Sequence, residues 1–270
     1  MTDIYPLNQI SSDPPPRFKT GIEGLDKVLG GGLVKGANIL VAGTPGSGKS
    51  TLLIQLAYQL SAGENKRVLY VAGEENKEQL KMRAVRLGID SGKILLMEDT
   101  EVEHIIEAKT DLAPDLVIID SLQTLFSKSL RTTPGSSSQI KNGLLTLCAL
   151  AKKTGTTFVF IGHSTKGGFI AGLLTLQHMV DVTLYLGVND DDTRFLRANK
   201  NRFGTIDFIW QTYMTEYGLA NDLSAVQPDG YSKTITLTNS EIENLIEGHA
   251  IWGPIVSASI DWLKRQAESR

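Results

Sequence analysis

The sequence predicts an α/β protein built on a mostly parallel, twisted sheet with helices on both faces. Three observations carry that expectation. From Asn38 onward, short apolar runs alternate with helical patterns. Two of the runs, Leu116–Ile119 and Thr157–Ile161, are continuously apolar, as strands buried on both faces are. The intervening segments are long enough for right-handed crossovers between parallel strands.

Taken in order, residues 1–16 are polar and end in Pro14-Pro15-Pro16, which predicts an extended arm. Gly21 to Gly36 carries Gly30-Gly31-Gly32 and reads as tight turns rather than a regular element. Strands are expected at Ile39–Ala42, Val68–Ala72, Ile94–Met97, Leu116–Ile119 and Thr157–Ile161. Between them come helices with buried faces at Leu52, Leu56 and Leu60; Leu80, Ala84 and Leu87; Val102, Ile105 and Ile106; and Ile140, Leu144, Leu147 and Ala151. Past Asp181, strands at Val182–Leu186, Arg194–Asn199 and Phe208–Met214, with turns at Asn189–Asp192 and Gly204–Asp207, would extend the sheet in antiparallel or mixed pairing. From about Asn221 the pattern changes to a loop at Pro228-Asp229-Gly230 and helical segments near Ser240–Glu247 and Ile255–Lys264. Ser240 and Glu243 fit a capping box there. The expected division is an arm over 1–16, a core over 17–220 and a small C-terminal helical appendage over 221–270.

Composition narrows the class. With 41% hydrophobic and 21% charged residues among 270, wholesale disorder is excluded. No apolar run reaches the roughly 18 residues a membrane span needs. The first residues lack a basic region followed by an apolar core, so no secretory signal is expected and a cytoplasmic location is. A single cysteine, Cys148, excludes an internal disulfide and a cysteine zinc cluster. The net charge of −3 is unevenly spread: Ser121–Val180 has no acidic residue but holds Lys128, Arg131, Lys141, Lys152, Lys153 and Lys166. Such a segment can bind a polyanion locally, or it can be the solvated face of helices.

Gly43-Thr44-Pro45-Gly46-Ser47-Gly48-Lys49-Ser50, followed by Thr51, is a full Walker A sequence between an expected strand and an expected helix. Its glycines let backbone N–H groups converge on phosphates at a helix N-terminus. Lys49 would reach the β/γ-phosphates and Ser50 would ligate Mg²⁺. Asp120 closes the apolar run Leu116–Ile119, the Walker B arrangement, where a carboxylate can hold the same ion; a strand-end turn with Ser121 is the alternative. Glu74 and Glu75 follow the strand Val68–Ala72. If that strand lies beside the Walker A strand, one of them can activate a water for in-line attack. Glu74 is the favoured base, with Glu75 assisting or capping the next helix.

Several strings together resemble the bacterial RadA (Sms) family of RecA-fold ATPases: Gly73-Glu74-Glu75, Ile118-Ile119-Asp120-Ser121, Gly162-His163-Ser164-Thr165-Lys166 and Lys200-Asn201-Arg202-Phe203-Gly204. The resemblance spans roughly Arg17 to Leu219 and implies a RecA-like P-loop core, ATP and Mg²⁺ as cofactors, and homo-oligomeric, hexameric rings with ATP at subunit interfaces. Lys200 and Arg202 would then reach a neighbour's phosphates, or else be surface charge on one strand face. Loops at Ser127–Asn142 and Ser164–Gly172 would bind single-stranded DNA, with Lys128, Arg131, Lys141 and Lys166 on phosphates and Phe169 against a base. Gly135, Gly167 and Gly168 would keep those loops mobile. His163 would sense the γ-phosphate at the root of the second loop, or serve as a structural histidine. The implied activity is DNA-dependent ATP hydrolysis in recombination or repair, with helicase or branch-migration action and no membrane partner.

The sequence departs from the family in lacking its four-cysteine zinc module and in leaving too few residues after Asn221 for a Lon-like domain. It also carries Lys166-Gly167-Gly168 where Lys-Glu-Gly is usual, and Leu173-Leu174 and Gln177 at positions usually polar or charged. These departures keep a second reading open: a KaiC-like regulatory ATPase switch that controls a protein partner. A small-molecule kinase ranks behind both, since no arginine-rich lid segment is present.

Overall fold

The computed structural model describes residues 5–9, 13–89, 92–163 and 176–221. In chain order the elements are β1 (Arg17–Phe18), α1 (Glu23–Val28), β2 (Leu33–Val34), β3 (Asn38–Gly43), α2 (Lys49–Ala62), β4 (Val68–Ala72), α3 (Lys77–Arg86), β5 (Ile94–Met97), α4 (Val102–Leu112), β6 (Leu116–Asp120), α5 (Ser137–Thr154), β7 (Thr157–His163), β8 (Val182–Val188), β9 (Arg194–Asn201), β10 (Ile209–Thr215) and β11 (Gly218–Ala220). One sheet takes the order β11-β10-β9-β8-β3-β7-β6-β4-β5. From β8 to β5 every neighbouring pair is parallel. From β8 to β11 every pair is antiparallel, which settles the pairing the sequence left open.

The continuous apolar runs are explained by helices on both faces. Ile39 and Val41 of β3 point to the face where α2 packs Leu52, Leu56 and Leu60, joined by Tyr70, Ile118 and Val159. Leu40 and Ala42 point to the other face, where α4 and α5 bring Ile105, Leu144, Leu147 and Ala151 against Val117, Phe158 and Phe160. Each buried leucine removed from water contributes about 1.5–3 kcal/mol, so this two-sided burial is what fixes the central strands.

The segment Gly21–Gly36 is more regular than its glycines suggest. It contains α1, and β1 pairs with β2 in antiparallel register. Asp26 Oδ1 accepts from Thr20 N at 2.9 Å, and Leu25 and Val28 join the core. Gly24 presses on the Trp210 ring so closely that a Cβ there would lie 2.4 Å from it. The helix has a local Glu23–Lys27 pair one turn apart, and the packing of Gly24 on β10 is the long-range contact its own sequence does not announce. In the arm, Leu7–Gln9 form a 3-10 turn, and Pro14–Pro16 are exposed. The expected appendage beyond Asn221 and the loop Ser164–Gly172, with Lys166 and Phe169, lie outside the described residues.

Candidate nucleotide-binding site

The Walker A residues form a strand–loop–helix cradle. Gly43 has no room for a side chain, since a Cβ would meet Leu186 O at 2.3 Å and Ser47 Oγ at 2.9 Å. Gly46 and Gly48 take φ values of 79° and 103°, the left-handed region that glycine enters without strain. Gly48 caps α2 without a side-chain hydrogen bond, so no capping side chain competes for the N–H groups at the helix's positive end. Lys49 Nζ donates to Gly43 O at 3.0 Å and Thr44 O at 2.9 Å. Burial lowers its pKa, with Asp120 and Glu74 acting in the opposite sense. Ser47 Oγ is buried without a hydrogen-bond partner among the described residues. Thr44 and Pro45 complete the loop, and Thr51 is buried on the first turn of α2.

Asp120 ends β6 at the same carboxyl edge and is 6% exposed. Tyr70 donates its hydroxyl hydrogen to Asp120 Oδ2 at 2.7 Å, while Oδ1 is buried without a hydrogen-bond partner among the described residues. Burial raises the Asp120 pKa, against hydrogen bonding from Tyr70 and Ser50. A buried carboxylate oxygen without a hydrogen-bond donor, on a group that also interacts with Ser50, suits a hard cation, because an unpaired buried acceptor is costly. The residues present therefore fit a Mg²⁺-nucleotide, with Ser50 and Asp120 as the protein ligands.

Glu74 reaches this edge by a different route from the one expected. Its strand β4 does not neighbour β3; β6 and β7 lie between them. The side chain crosses the intervening strand ends: Ser121 Oγ donates to Glu74 Oε1, and His163 Nε2 lies 2.7 Å from the same oxygen. A carboxylate only accepts, so the His163 proton is on Nε2. His163 is itself in register with Gly43, where the Walker loop begins. Burial disfavours the Glu74 carboxylate, but the hydrogen bonds from Ser121 and His163 and the charges of His163 and Lys49 outweigh it and hold the pKa below the ordinary glutamate value.

Glu75 does not share this environment. It forks onto Arg83 of α3, with Arg83 Nε donating to Oε2 at 3.1 Å, and Arg83 Nη1 donates to Thr51 Oγ1 at 3.2 Å. Nor does Glu75 cap α3, since Asn76 does so in a capping box with Gln79. A paired guanidinium fixes Glu75 as a brace between α3 and α2, away from the base position.

Lys200 and Arg202 lie at the opposite edge of the sheet. Lys200 is in register with Thr183 on β8, which pairs with Leu40 of β3, whereas the Walker loop leaves β3 at Gly43; Arg202 lies further on, its backbone N–H donating to Asp181 O just before β8. Lys200 Nζ donates to Gln177 O at 2.9 Å and Val180 O at 2.6 Å. Burial, then Arg202, lowers its pKa. Arg202 Nη1 donates to Asp181 Oδ1 at 3.0 Å, and its side chain is 50% exposed. Asn201 and Gly204 seat the intervening turn on the glycine segment: Asn201 Nδ2 donates to Leu29 O at 3.2 Å, and Gly204 abuts Gly30.

The loop after β6 is hydrogen-bonded to α5. Gln139 of α5 is 1% exposed, accepts from Ser127 N at 2.8 Å and donates to Ser127 O and Thr132 O at 3.2 and 3.0 Å. Arg131 and Lys141 are exposed. Lys128 is exposed too, but its Nζ lies 2.6 Å from Glu101 Oε2. The acid-free stretch in sequence is thus met in space by carboxylates from the start of α4.

The sequence reading passed over Tyr70 and Arg83, which look like an ordinary strand residue and an ordinary helix residue. It also missed Gln55, which binds both backbone groups of Leu219 and so docks the β10–β11 hairpin beside the cradle. Their roles depend on which strands are neighbours, and composition carries no such signal.

Comparison with known proteins accords with this architecture. The KaiC ATPase family model matches residues 18–113. The DNA repair protein RadA of Bacillus subtilis is 42% identical over 220 residues, covering 81% of this chain and 48% of its own length. RadA of Escherichia coli is 40% identical over 218 residues, 80% of this chain and 47% of its own. RadA of Chlamydia muridarum is 40% identical over 251 residues, 92% and 54%. A KaiC-like protein of Pyrococcus horikoshii superposes with a TM-score of 0.65 at 21% identity, over 77% of this chain and 99% of its own, a likeness of fold. The chain spans about half the length of the curated relatives it matches.

Proposed function

Because the chain carries a RadA-like RecA-fold ATPase core, we propose that it is an ATP hydrolase of DNA repair or recombination that acts on single-stranded DNA as a ring of identical subunits. The observation that carries this reading is the separation of the Walker loop from Lys200 and Arg202, which stand at opposite edges of one sheet. On this reading cations so placed serve not their own protomer's nucleotide but, in a closed head-to-tail ring, that of the next subunit. A cation supplied in trans stabilises charge developing on the transferred phosphate and makes hydrolysis depend on assembly.

Within one subunit, the Walker N–H groups and Lys49 would bind the β/γ-phosphates, with Ser50 and Asp120 holding Mg²⁺. The ion supplies neutralisation of the phosphate oxygens. Glu74 accepts a proton from, and orients, the attacking water; its hydrogen bonds keep it ionised at neutral pH. His163 joins that carboxylate to the residues that follow β7, so a change at the γ-phosphate is felt at the root of the second loop. Exposed Arg131 and Lys141, together with Lys166, would contact DNA phosphates. The test is ATP turnover with and without oligonucleotide at low and high salt. DNA-stimulated turnover and salt-sensitive binding are expected; equal turnover and no binding at low salt would remove this reading.

One observation favours the KaiC-like switch instead: Lys128 is already matched by Glu101, and Gln139 pins its loop. Alanine at Lys128, Arg131, Lys141 and Lys166 separates the two. A DNA motor loses oligonucleotide binding and keeps basal hydrolysis; a switch keeps its nucleotide-dependent association with a protein partner.

A further inference from the structure

We propose that Tyr70 is a positioning residue for the metal-binding carboxylate, tying one oxygen of Asp120 so that the other is presented to the magnesium ion of a bound nucleotide. The inference rests on the magnesium-nucleotide reading above. Tyr70 lies on β4 opposite Ile118 of β6, and Ala72 lies opposite Asp120, so the phenol spans the diagonal between neighbouring strands on one face. It is fully buried, and its hydroxyl donates to Asp120 Oδ2 at 2.7 Å.

Packing alone does not call for that hydroxyl. Every other residue of β4 is Val, Leu or Ala, and Tyr70 sits in a cluster of Leu, Ile and Val where phenylalanine fills nearly the same volume. What the hydroxyl adds is orientation. Rotation of a carboxylate about its last torsion is soft and roughly twofold. A donor on Oδ2 selects one setting, in which Oδ1 is buried and meets no hydrogen-bond donor among the described residues. That oxygen is left available to a cation at the cost of an unsatisfied acceptor without one. The neighbouring Arg83 directs its guanidinium hydrogen bonds to Glu75 and to Thr51 Oγ1. Hydrogen-bond partners standing behind metal ligands typically change metal affinity 10- to 100-fold.

The experiment is a Mg²⁺ titration of N-methylanthraniloyl-ADP binding to the full chain and to Tyr70→Phe. The expected result is a midpoint shifted to about tenfold higher Mg²⁺, with unchanged nucleotide affinity in EDTA, which also certifies the fold. In an Asp120→Ala background, Tyr70→Phe should add no further shift. A wild-type midpoint in Tyr70→Phe, or an equal shift without Asp120, overturns the proposal alone. A wild-type protein whose nucleotide binding ignores Mg²⁺ overturns the magnesium reading and this proposal with it.

Discussion

His163 and Glu74 meet at the carboxyl edge of the sheet, Nε2 donating to Oε1 at 2.7 Å, although the strand β6 separates their own strands. The contact places a carboxylate near the Walker loop by reaching over a strand end, with Ser121 as the second donor. It also joins the candidate base to the segment that follows β7.

Glu74→Gln keeps the shape and removes the base. Turnover should fall by roughly 10²–10⁴-fold with nucleotide affinity nearly unchanged, measured by steady-state hydrolysis and equilibrium binding. The folded-state pKa of Glu74 is depressed, so its stabilising contribution is present above the unfolded value and lost as pH falls through the folded one. The acid limb of the pH–rate profile should accordingly lie below the ordinary glutamate range.

Cys148 is buried on α5, and burial, with the nearby Asp181 charge, raises its thiol pKa to about 12. Thiolate is the reactive form. At pH 8 the folded protein should resist iodoacetamide, and the same thiol should be alkylated readily in denaturant, as mass spectrometry would report.

Gln139 satisfies the backbone of the loop after β6 from within α5. Gln139→Ala strands buried peptide groups and should cost about 1–3 kcal/mol in a urea melt. Hydrogen exchange should rise at Ser127, whose N–H donates to Gln139 Oε1. Unchanged exchange there would mean that other contacts hold the loop.

Asp181 joins two elements, accepting from Asn38 N at 3.1 Å and from Arg202 Nη1 at 3.0 Å. Asp181→Ala leaves a buried N–H unpaired and should lower stability by about 1–3 kcal/mol. It also frees Arg202, so any loss of hydrolysis should be compared with that of Arg202→Ala, expected at roughly 10³-fold with nucleotide binding retained.

The parallel core was legible because two-sided burial writes continuous apolar runs, as in Leu116–Ile119, and because the Walker loop punctuates β3 and α2 with glycines. The short helix α1 was not, since its packing brings Gly24 against Trp210 far along the chain. The site was legible where a motif is local: Lys49, Ser50 and Asp120. Sequence favoured Glu74 over Glu75 as the base but not the part Glu75 plays, which its pairing with Arg83 defines. The charge of Lys128 likewise looked free until the fold brought Glu101 to it. In Lys200-Asn201-Arg202-Phe203-Gly204 the string itself was conspicuous, yet its labour is divided: Asn201 and Gly204 anchor the turn, while Arg202 keeps a half-exposed side chain paired with Asp181.

The central claim is that each nucleotide is gripped by one subunit and completed by another, and mixing two inactive variants tests it most directly. Lys49→Ala lacks the phosphate grip but keeps Arg202; Arg202→Ala keeps the grip but lacks the cation. Co-expressed in one assembly, they should regain hydrolysis well above either alone, because some interfaces pair an intact Walker loop with an intact arginine. A co-assembled mixture as inactive as its two components would contradict the account.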